Sequence, residues 1–272
     1  MDQASVKSSS QEITKAITRL LDAGSIAAVV TLIAGNESVG AKLLIEESGS
    51  VSGSSGDSQL DELIKPRALQ FLRTREDTRM ISAREFAPDF SRDTEILLLF
   101  ERIHPLPRLV VCGAGHVGAA LAKLGDFVGY HTTLIDDRIE FVKPERFPES
   151  HVELVFADDW RQTVREVIGN GKGVCVAVVT RGHNQDEECM DAIMASSPDY
   201  IGLIGSKRRT NIVLENLRRH GVSDERLKSI RAPIGLDLGA VSPEEVALAI
   251  IAEIVAERRG GKGGSLSSWR RR

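Results

Sequence analysis

A glycine-rich run, Gly113-Ala-Gly115-His-Val-Gly118, constrains the fold most, because it separates a strand-like apolar segment from a helix-like one. The first glycine permits a tight turn, the second lets backbone amides approach a phosphate, and the third allows close packing of helix on strand. The N-terminus of the helix, at His116, favours negative charge because its free N–H groups point outward. The run therefore predicts a strand, a phosphate-binding loop and a helix in succession.

Beyond this run, strand-like and helix-like segments alternate. Strands are predicted at 109–112, 132–135, 152–156, 174–179 and 200–204, and helices begin near 116, 159, 186, 206 and 242. Such alternation requires right-handed crossovers and a buried parallel sheet. We expect an α/β protein whose residues 105–259 form a Rossmann-like parallel sheet with helices on both faces.

The N-terminal part predicts a smaller α+β domain over residues 11–104. It contains a helix of about three turns near 13–24, strands at 26–33 and 42–45, a Gly- and Ser-rich loop at 47–58, a helix at 60–72 interrupted near Pro66, and strands at 79–86 and 95–103. The prolines of His104-Pro-Leu-Pro107 suit a stiff connector at the junction. Residues 1–10 are predicted to be a disordered start and residues 260–272 a disordered basic tail.

Composition excludes several classes of protein. The formal net charge of −4 offers no long-range attraction for nucleic acid. No apolar stretch approaches the roughly 18 residues that span a bilayer, and the polar start lacks the apolar core of a signal peptide. The three cysteines form no Cys-x-x-Cys pair, which argues against disulfides and a structural zinc site. We expect a cytoplasmic protein with no metal site, no nucleic-acid partner and no membrane contact.

An acidic residue, Asp136, strengthens the glycine signal, because it ends the second predicted strand 18 residues after Gly118. An acid at this position commonly accepts hydrogen bonds from a ribose 2′-hydroxyl and disfavours a 2′-phosphate. The combination predicts an NAD-like or other unphosphorylated ribose ligand. The alternative is a Rossmann scaffold that retains the loop and binds nothing.

Polar residues after the fourth predicted strand fall on the same edge of the sheet. His183 and Asp186 are candidates for catalysis, since histidine can act as acid or base. The alternative for Asp186 is a helix N-cap.

A second polar group follows the fifth predicted strand, in Gly205-Ser206-Lys207-Arg208-Arg209. Three cations at a helix start oppose the positive end of the helix dipole. Either an anionic ligand or plain solvation would resolve that conflict.

Several of these motifs together resemble the xanthine dehydrogenase accessory proteins of the XdhC/CoxI type. The shared motifs are the glycine run, Asp136-Asp-Arg138, the segment 180–186, Gly-Leu-Ile-Gly-Ser-Lys-Arg-Arg, and Ala-Pro-Ile-Gly-Leu-Asp-Leu-Gly-Ala. The N-terminal domain is similar but divergent. Its Val39-Gly40-Ala-Lys42 run has Val where the family has Pro, and Gln59 stands where the family has a cysteine.

The resemblance implies a homodimeric maturation factor that binds the molybdenum cofactor, or its dinucleotide form, without turnover. It would deliver that cofactor to a molybdenum hydroxylase apo-enzyme and contact cofactor-modifying enzymes. The expected cofactor-binding residues are Gly113, Gly115, His116, Gly118, Asp136, Lys42, Gly53, Ser54, Gly205, Ser206, Lys207 and Arg208. The alternatives are an NAD-dependent oxidoreductase that uses His183, and a non-catalytic NAD-sensing module.

Overall fold

A computed structural model describes residues 3–35, 38–74, 76–88 and 95–267. The chain divides into two compact units, Met1–Pro105 and Leu106–Arg272. Among the described helices, none is both long and apolar enough to cross a membrane.

The first unit is an antiparallel sheet with helices on its two faces. Its elements are α1 (Gln3–Asp22), β1 (Ala27–Ala34), β2 (Lys42–Glu46), β3 (Val51–Gly53), α2 (Ser58–Leu72), β4 (Thr78–Ser82) and β5 (Leu97–Ile103). The strand order is β3-β2-β1-β5-β4. Because successive side chains of a strand point to opposite faces, Ala28 and Val30 of the central strand belong to the core under α2, while Ala27 and Val29 pack with α1.

Three details of this unit differ from the predictions. Helix α1 begins at Gln3, inside the segment predicted to be disordered, since residues 3–10 contain neither glycine nor proline to stop it. Helix α2 runs through Pro66 without a break, because burial of residues on both sides of the proline, including Ile64 and Ala68, holds the helix on the sheet. The predicted loop at 47–58 contains the short strand β3, which pairs with β2.

The second unit is a six-stranded parallel sheet, which confirms the predicted fold class. Its strands are β6 (Arg108–Cys112), β7 (His131–Asp136), β8 (Glu153–Phe156), β9 (Val174–Val178), β10 (Tyr200–Leu203) and β11 (Ile230–Arg231). The spatial order β11-β10-β9-β6-β7-β8 is that of a dinucleotide-binding Rossmann sheet. The strand order reverses between β6 and β9, where such sheets open a crevice for ligands at the carboxyl ends of their strands.

Helices cover both faces of this sheet. They are α3 (His116–Phe127), α4 (Trp160–Ile168), α5 (His183–Met194), α6 (Lys207–Arg219), α7 (Asp224–Lys228) and α8 (Pro243–Arg259). Buried residues of α3 and α8 share one core, and those of α4, α5 and α6 share the other. Helix α8 begins with the expected capping box of Ser242 and Glu245. Residues 260–267 are exposed, and the rest of the predicted tail lies outside the described residues.

Candidate functional site

The glycine loop after β6 leaves the N-terminus of α3 open. Gly113 has φ +112°, and a Cβ there would lie 2.7 Å from the carbonyl oxygen of Val179. A Cβ on Gly118 would lie only 1.8 Å from the carbonyl oxygen of Gly113, so helix and loop meet at backbone contact. Gly115 differs from both, because a Cβ at that position would meet nothing within 4 Å. Gly115 is also the N-cap of α3 and supplies no side-chain cap, so the helix start faces open space that a phosphate can fill.

Asp136 holds this loop and has no acceptor capacity left for a ribose. Its side chain is 1% exposed. Oδ2 accepts from the backbone N–H of Ala114 at 2.6 Å and from Nη2 of Arg138 at 2.9 Å. Oδ1 accepts from the backbone N–H of Arg138 at 3.0 Å and from its Nε at 2.8 Å. These four donors match the roughly four lone-pair sites of a carboxylate. The predicted hydrogen bond that Asp136 would accept from a ribose hydroxyl is therefore not supported, and neither is the preference against a 2′-phosphate that depends on it.

Two arginines, each paired with an aspartate, lie beside the loop. Arg138 follows β7, and its guanidinium carbon lies 3.6 Å from the ring centroid of Phe141. Arg181 follows β9 and binds Asp137 with two hydrogen bonds of 2.7 and 3.0 Å. The hydrogen bonds from Arg181 lower the pKa of Asp137 below its ordinary value. Since β6 lies between β7 and β9 in the sheet, the pair of Arg181 and Asp137 joins the strand ends on either side of the glycine loop.

Asp186 belongs to a buried polar cluster and is neither an N-cap nor an accessible base. Helix α5 begins at His183 with Gly182 as its N-cap, earlier than predicted. Asp186 is 0% exposed and accepts from Oγ1 of Thr180 at 2.6 Å and from Nε of Arg209 at 2.8 Å. Burial raises the pKa of Asp186, and the hydrogen bonds from Thr180 and Arg209 oppose that shift. The cluster ties the ends of β9 and β10 together through α5 and α6.

His183 is exposed in the first turn of α5. Within the described part of the chain, its ring makes no hydrogen bond to a carboxylate or any other group. General acid–base catalysis by histidine usually relies on such a partner to fix the ring. The geometry therefore gives His183 and Asp186 no shared catalytic arrangement.

The positive charges at the start of α6 are only partly compensated by ion pairs within the protein. Ser206 is the N-cap and accepts from the backbone N–H of Arg209 at 3.3 Å. Arg209 is paired with Asp186. Lys207 and Arg208 are exposed, and neither forms an ion pair with another described residue. Gly205, with φ +149°, makes the turn that brings this group to the end of β10.

The predicted binding residues of the first unit are brought together by β2 and β3. A Cβ on Gly53 would lie 2.3 Å from the carbonyl oxygen of Lys42, so these strands touch at that point. Lys42 donates to Oγ1 of Thr31 at 2.8 Å. Ser54 donates to Oδ2 of Asp61 at 2.7 Å, and Oδ1 of Asp61 accepts from the backbone N–H of Ser55. The loop is thus fixed by hydrogen bonds.

The position of the family cysteine, Gln59, lies in the first turn of α2. Asp57 caps this helix and accepts from the backbone N–H groups of Gln59 and Leu60. The three cysteines of the chain, Cys112, Cys175 and Cys189, are all buried. In the described ranges, no group of three or more His, Cys, Asp or Glu side chains could hold a metal ion.

Sequence reasoning missed the arginines that surround the loop. Arg138 and Arg181 each follow a strand of the predicted sheet by two or three residues, so their place at the ligand edge could have been inferred. The position of Arg146 beside the loop could not be inferred in this way. This residue lies in a one-turn helix and donates to the backbone carbonyl of the nearby Phe141 at 2.7 Å and to that of Ala114, 32 residues earlier, at 3.3 Å.

Comparison with known proteins identifies relatives of this chain. The family described as XdhC Rossmann domain matches residues 109–254. The uncharacterized protein YqeB of Escherichia coli is 31% identical over 230 residues, which cover 82% of this chain and 41% of the relative. A Bacillus subtilis protein described as a probable xanthine dehydrogenase subunit is 28% identical over 63% of this chain and 48% of its own length.

A third relative is the molybdenum cofactor insertion chaperone PaoD of Escherichia coli, which is 25% identical over 57% of this chain and 41% of its own length. The chain thus spans less than half the length of these curated relatives. A crystal structure described as a xanthine dehydrogenase from Bacillus halodurans shares the fold with a TM-score of 0.67 and 22% identity, over 92% of this chain and 68% of that one.

Proposed function

This chain belongs to the XdhC family, and from that premise we propose that it is a maturation factor for a molybdenum hydroxylase of the xanthine dehydrogenase type. Its cargo in this proposal is the molybdenum cofactor or its dinucleotide form. The names of two relatives, a cofactor insertion chaperone and a probable xanthine dehydrogenase subunit, support this role. The proposal places the protein in the cytoplasm as a homodimer whose partners are the apo-hydroxylase and cofactor-modifying enzymes.

The observation that carries the proposal is the open helix start at Gly115. A phosphate of the cargo binds there to backbone N–H groups of α3, with His116 beside it. Asp136 acts through the loop, which it holds in position, while Arg138 and Arg181, each paired with an aspartate, donate their remaining N–H groups to the phosphate from either side. A planar guanidinium suits this task because it can donate two parallel hydrogen bonds to phosphate oxygens.

The remaining predicted residues have secondary tasks in the proposal. Lys207 and Arg208, which follow Gly205 and Ser206 at the end of β10, supply further positive charge to the same edge of the sheet. In the first unit, taken by itself, Lys42, Gly53 and Ser54 form a polar surface to which the proposal assigns cofactor binding.

The chemistry of the donor set favours holding the cargo by its phosphate and pterin end. Phosphate donors are present at the glycine loop, whereas every thiol of the chain is buried. Soft metals prefer thiolate ligands, and Gln59 offers only an amide. The metal end of the cargo is therefore expected to make polar contacts rather than a thiolate bond.

Turnover receives less support than binding. Asp186 is buried and paired with Arg209, and His183 has no relay partner among the described residues. An NAD-dependent oxidoreductase would require one of them to act as acid or base. A non-catalytic NAD sensor would use the same phosphate site. The identity of the bound ligand, molybdenum cofactor or NAD, therefore distinguishes the maturation factor from the sensor.

The test is an anaerobic binding titration with molybdenum cofactor released from a purified hydroxylase, with NAD⁺ and NADH in parallel. We expect the wild type to bind the molybdenum cofactor, and Gly115→Asp to bind it at least about a hundredfold more weakly, since two hydrogen bonds to a charged phosphate contribute about 1.5 kcal/mol each. Gly264→Asp is the matched control, because a Cβ on Gly264 would likewise meet nothing within 4 Å and Gly264 lies outside the glycine loop.

Binding of NAD(H) with hydride transfer, in place of the molybdenum cofactor, would overturn the proposal. NAD(H) binding without turnover would favour the sensor. Equal cofactor binding by the wild type and Gly115→Asp would show that the glycine loop takes no part in cofactor binding.

A further inference from the structure

Helix α8 carries a largely exposed stripe beside its buried face. The residues of the stripe are Glu244, Leu248, the half-buried Ala252, Val255 and Arg259. At about 100° per residue, these five positions fall within an arc of about 80° on the helix surface. Leu248 is 50% exposed and Val255 is 38% exposed. An apolar centre between charged ends is typical of a helix that packs against another helix.

The ends of the stripe have opposite charges at matched distances from its centre. Glu244 and Arg259 are equally far along the helix from the midpoint between Ile251 and Ala252, as are Leu248 and Val255. A second α8 packed antiparallel about that midpoint therefore brings Glu244 against the partner's Arg259, and Leu248 against the partner's Val255. A parallel pairing would instead bring like charges together.

The neighbouring helix α3 extends the same surface. A groove of about 580 Å³ lies between the N-terminal halves of α3 and α8, and Ala119, Ala120, Leu124 and Leu248 form its apolar lining. The C-terminal ends also lie together, because Arg258 stacks on the ring of Tyr130. The two helices therefore run in the same direction.

The Phe127 ring, which is 85% exposed at the end of α3, continues this surface, because it lies three residues after Leu124 and four after Lys123, which both line the groove. An exposed aromatic ring beside an apolar groove is typical of the core of a protein–protein interface.

We propose that the α3–α8 face is the surface on which a second copy of this chain docks, with the two α8 helices antiparallel. This inference assigns the interface of the proposed homodimer, and it is tested without any cofactor. Sedimentation velocity over a wide concentration range measures the oligomeric state. The wild type is expected to be a dimer, and Leu248→Asp is expected to raise the dimer dissociation constant by at least about a hundredfold, because two leucines lose their apolar burial.

The matched control is Ile212→Asp on α6, whose isoleucine is 48% exposed and lies outside this face. The circular dichroism spectrum of each variant checks that it is folded. A wild type that stays monomeric, or a dimer that Leu248→Asp leaves intact, would overturn the proposal.

Charge exchange tests the antiparallel arrangement itself. Glu244→Arg and Arg259→Glu each place like charges at both ends of the pair, so each variant alone is expected to dimerise more weakly than the wild type. An equal mixture of the two restores opposite charges at both ends, and a heterodimer is expected. Failure of the mixture to associate better than either variant alone would contradict the antiparallel pairing.

Discussion

The substitution Asp136→Asn separates the loop-holding role of this carboxylate from a role in ligand binding. The side chain is almost fully buried and accepts four hydrogen bonds, one from Ala114 and three from Arg138. Asparagine offers one acceptor oxygen in place of two, and its NH₂ group would face N–H donors. At least two of the four bonds are therefore lost, and the charge of Arg138 loses its closest partner.

The expected cost follows from those bonds. Hydrogen bonds to a charged group contribute about 1.5 to 3 kcal/mol each, and the partial exposure of Arg138 lets solvent recover some of the loss, so we expect Asp136→Asn to lower the free energy of unfolding by about 3 kcal/mol. Urea unfolding followed by fluorescence of Trp160, which is buried in α4, reports on this unit. Asp137→Asn is the control, since that carboxylate is 24% exposed and its loss should cost less.

The result that refutes this reasoning is an Asp136→Asn protein as stable as the wild type with only its ligand preference changed. That outcome would mean that the carboxylate is available to a ribose and does not hold the loop.

Three further substitutions test other contacts. Gly118→Ala should lower the free energy of unfolding by about 2 to 4 kcal/mol, because its Cβ would lie 1.8 Å from a carbonyl oxygen; unchanged urea unfolding would show that the loop can move aside. Arg181→Ala should raise the pKa of Asp137 toward its ordinary value in an NMR titration. The folded-state pKa of Asp137 is now below its unfolded value, so this ion pair stabilises the fold above the unfolded pKa and is lost as pH falls through the folded pKa; an unshifted titration in the variant would contradict that cause. Asp61→Ala should cost about 1 to 2 kcal/mol, since Ser54 and Ser55 lose their acceptor; thermal unfolding that matches the wild type would show that the loop needs no such anchor.

Local sequence signals were sufficient to predict the parallel sheet. The glycine run specifies its own turn and helix start through backbone geometry, and the alternation of apolar strands with helices leaves few topologies. The capping box at Ser242 is likewise local, since its donors and acceptors lie within four residues. These features were predicted because each depends on neighbours in the chain.

The hydrogen-bonding partners at the site could not be read from the same signals. Asp186 stands where the predicted helix begins, so an N-cap was the alternative to a catalytic role, but it is paired with Arg209, which lies 23 residues further on. Asp136 matched the ribose position, yet the adjacent Arg138 saturates it. In each case the outcome depends on which donor the tertiary fold brings to a carboxylate.

Pairing across a sheet explains why β3 was not predicted in the first unit. The segment that contains β3 is rich in Ser and Gly and has no strand signal of its own, but β2 supplies hydrogen-bonding partners for Val51 to Gly53. Strand propensity depends on such context more than helix propensity does.

Transfer of cofactor tests the central claim most directly. The purified protein is loaded anaerobically with molybdenum cofactor, freed of unbound cofactor, and mixed with the apo form of a xanthine dehydrogenase-type hydroxylase, whose regained activity is measured. We predict that the wild type and Gly264→Asp restore activity and that Gly115→Asp does not. Restoration by Gly115→Asp to the wild-type extent, or none by the wild type, would contradict delivery of the cofactor from the glycine loop.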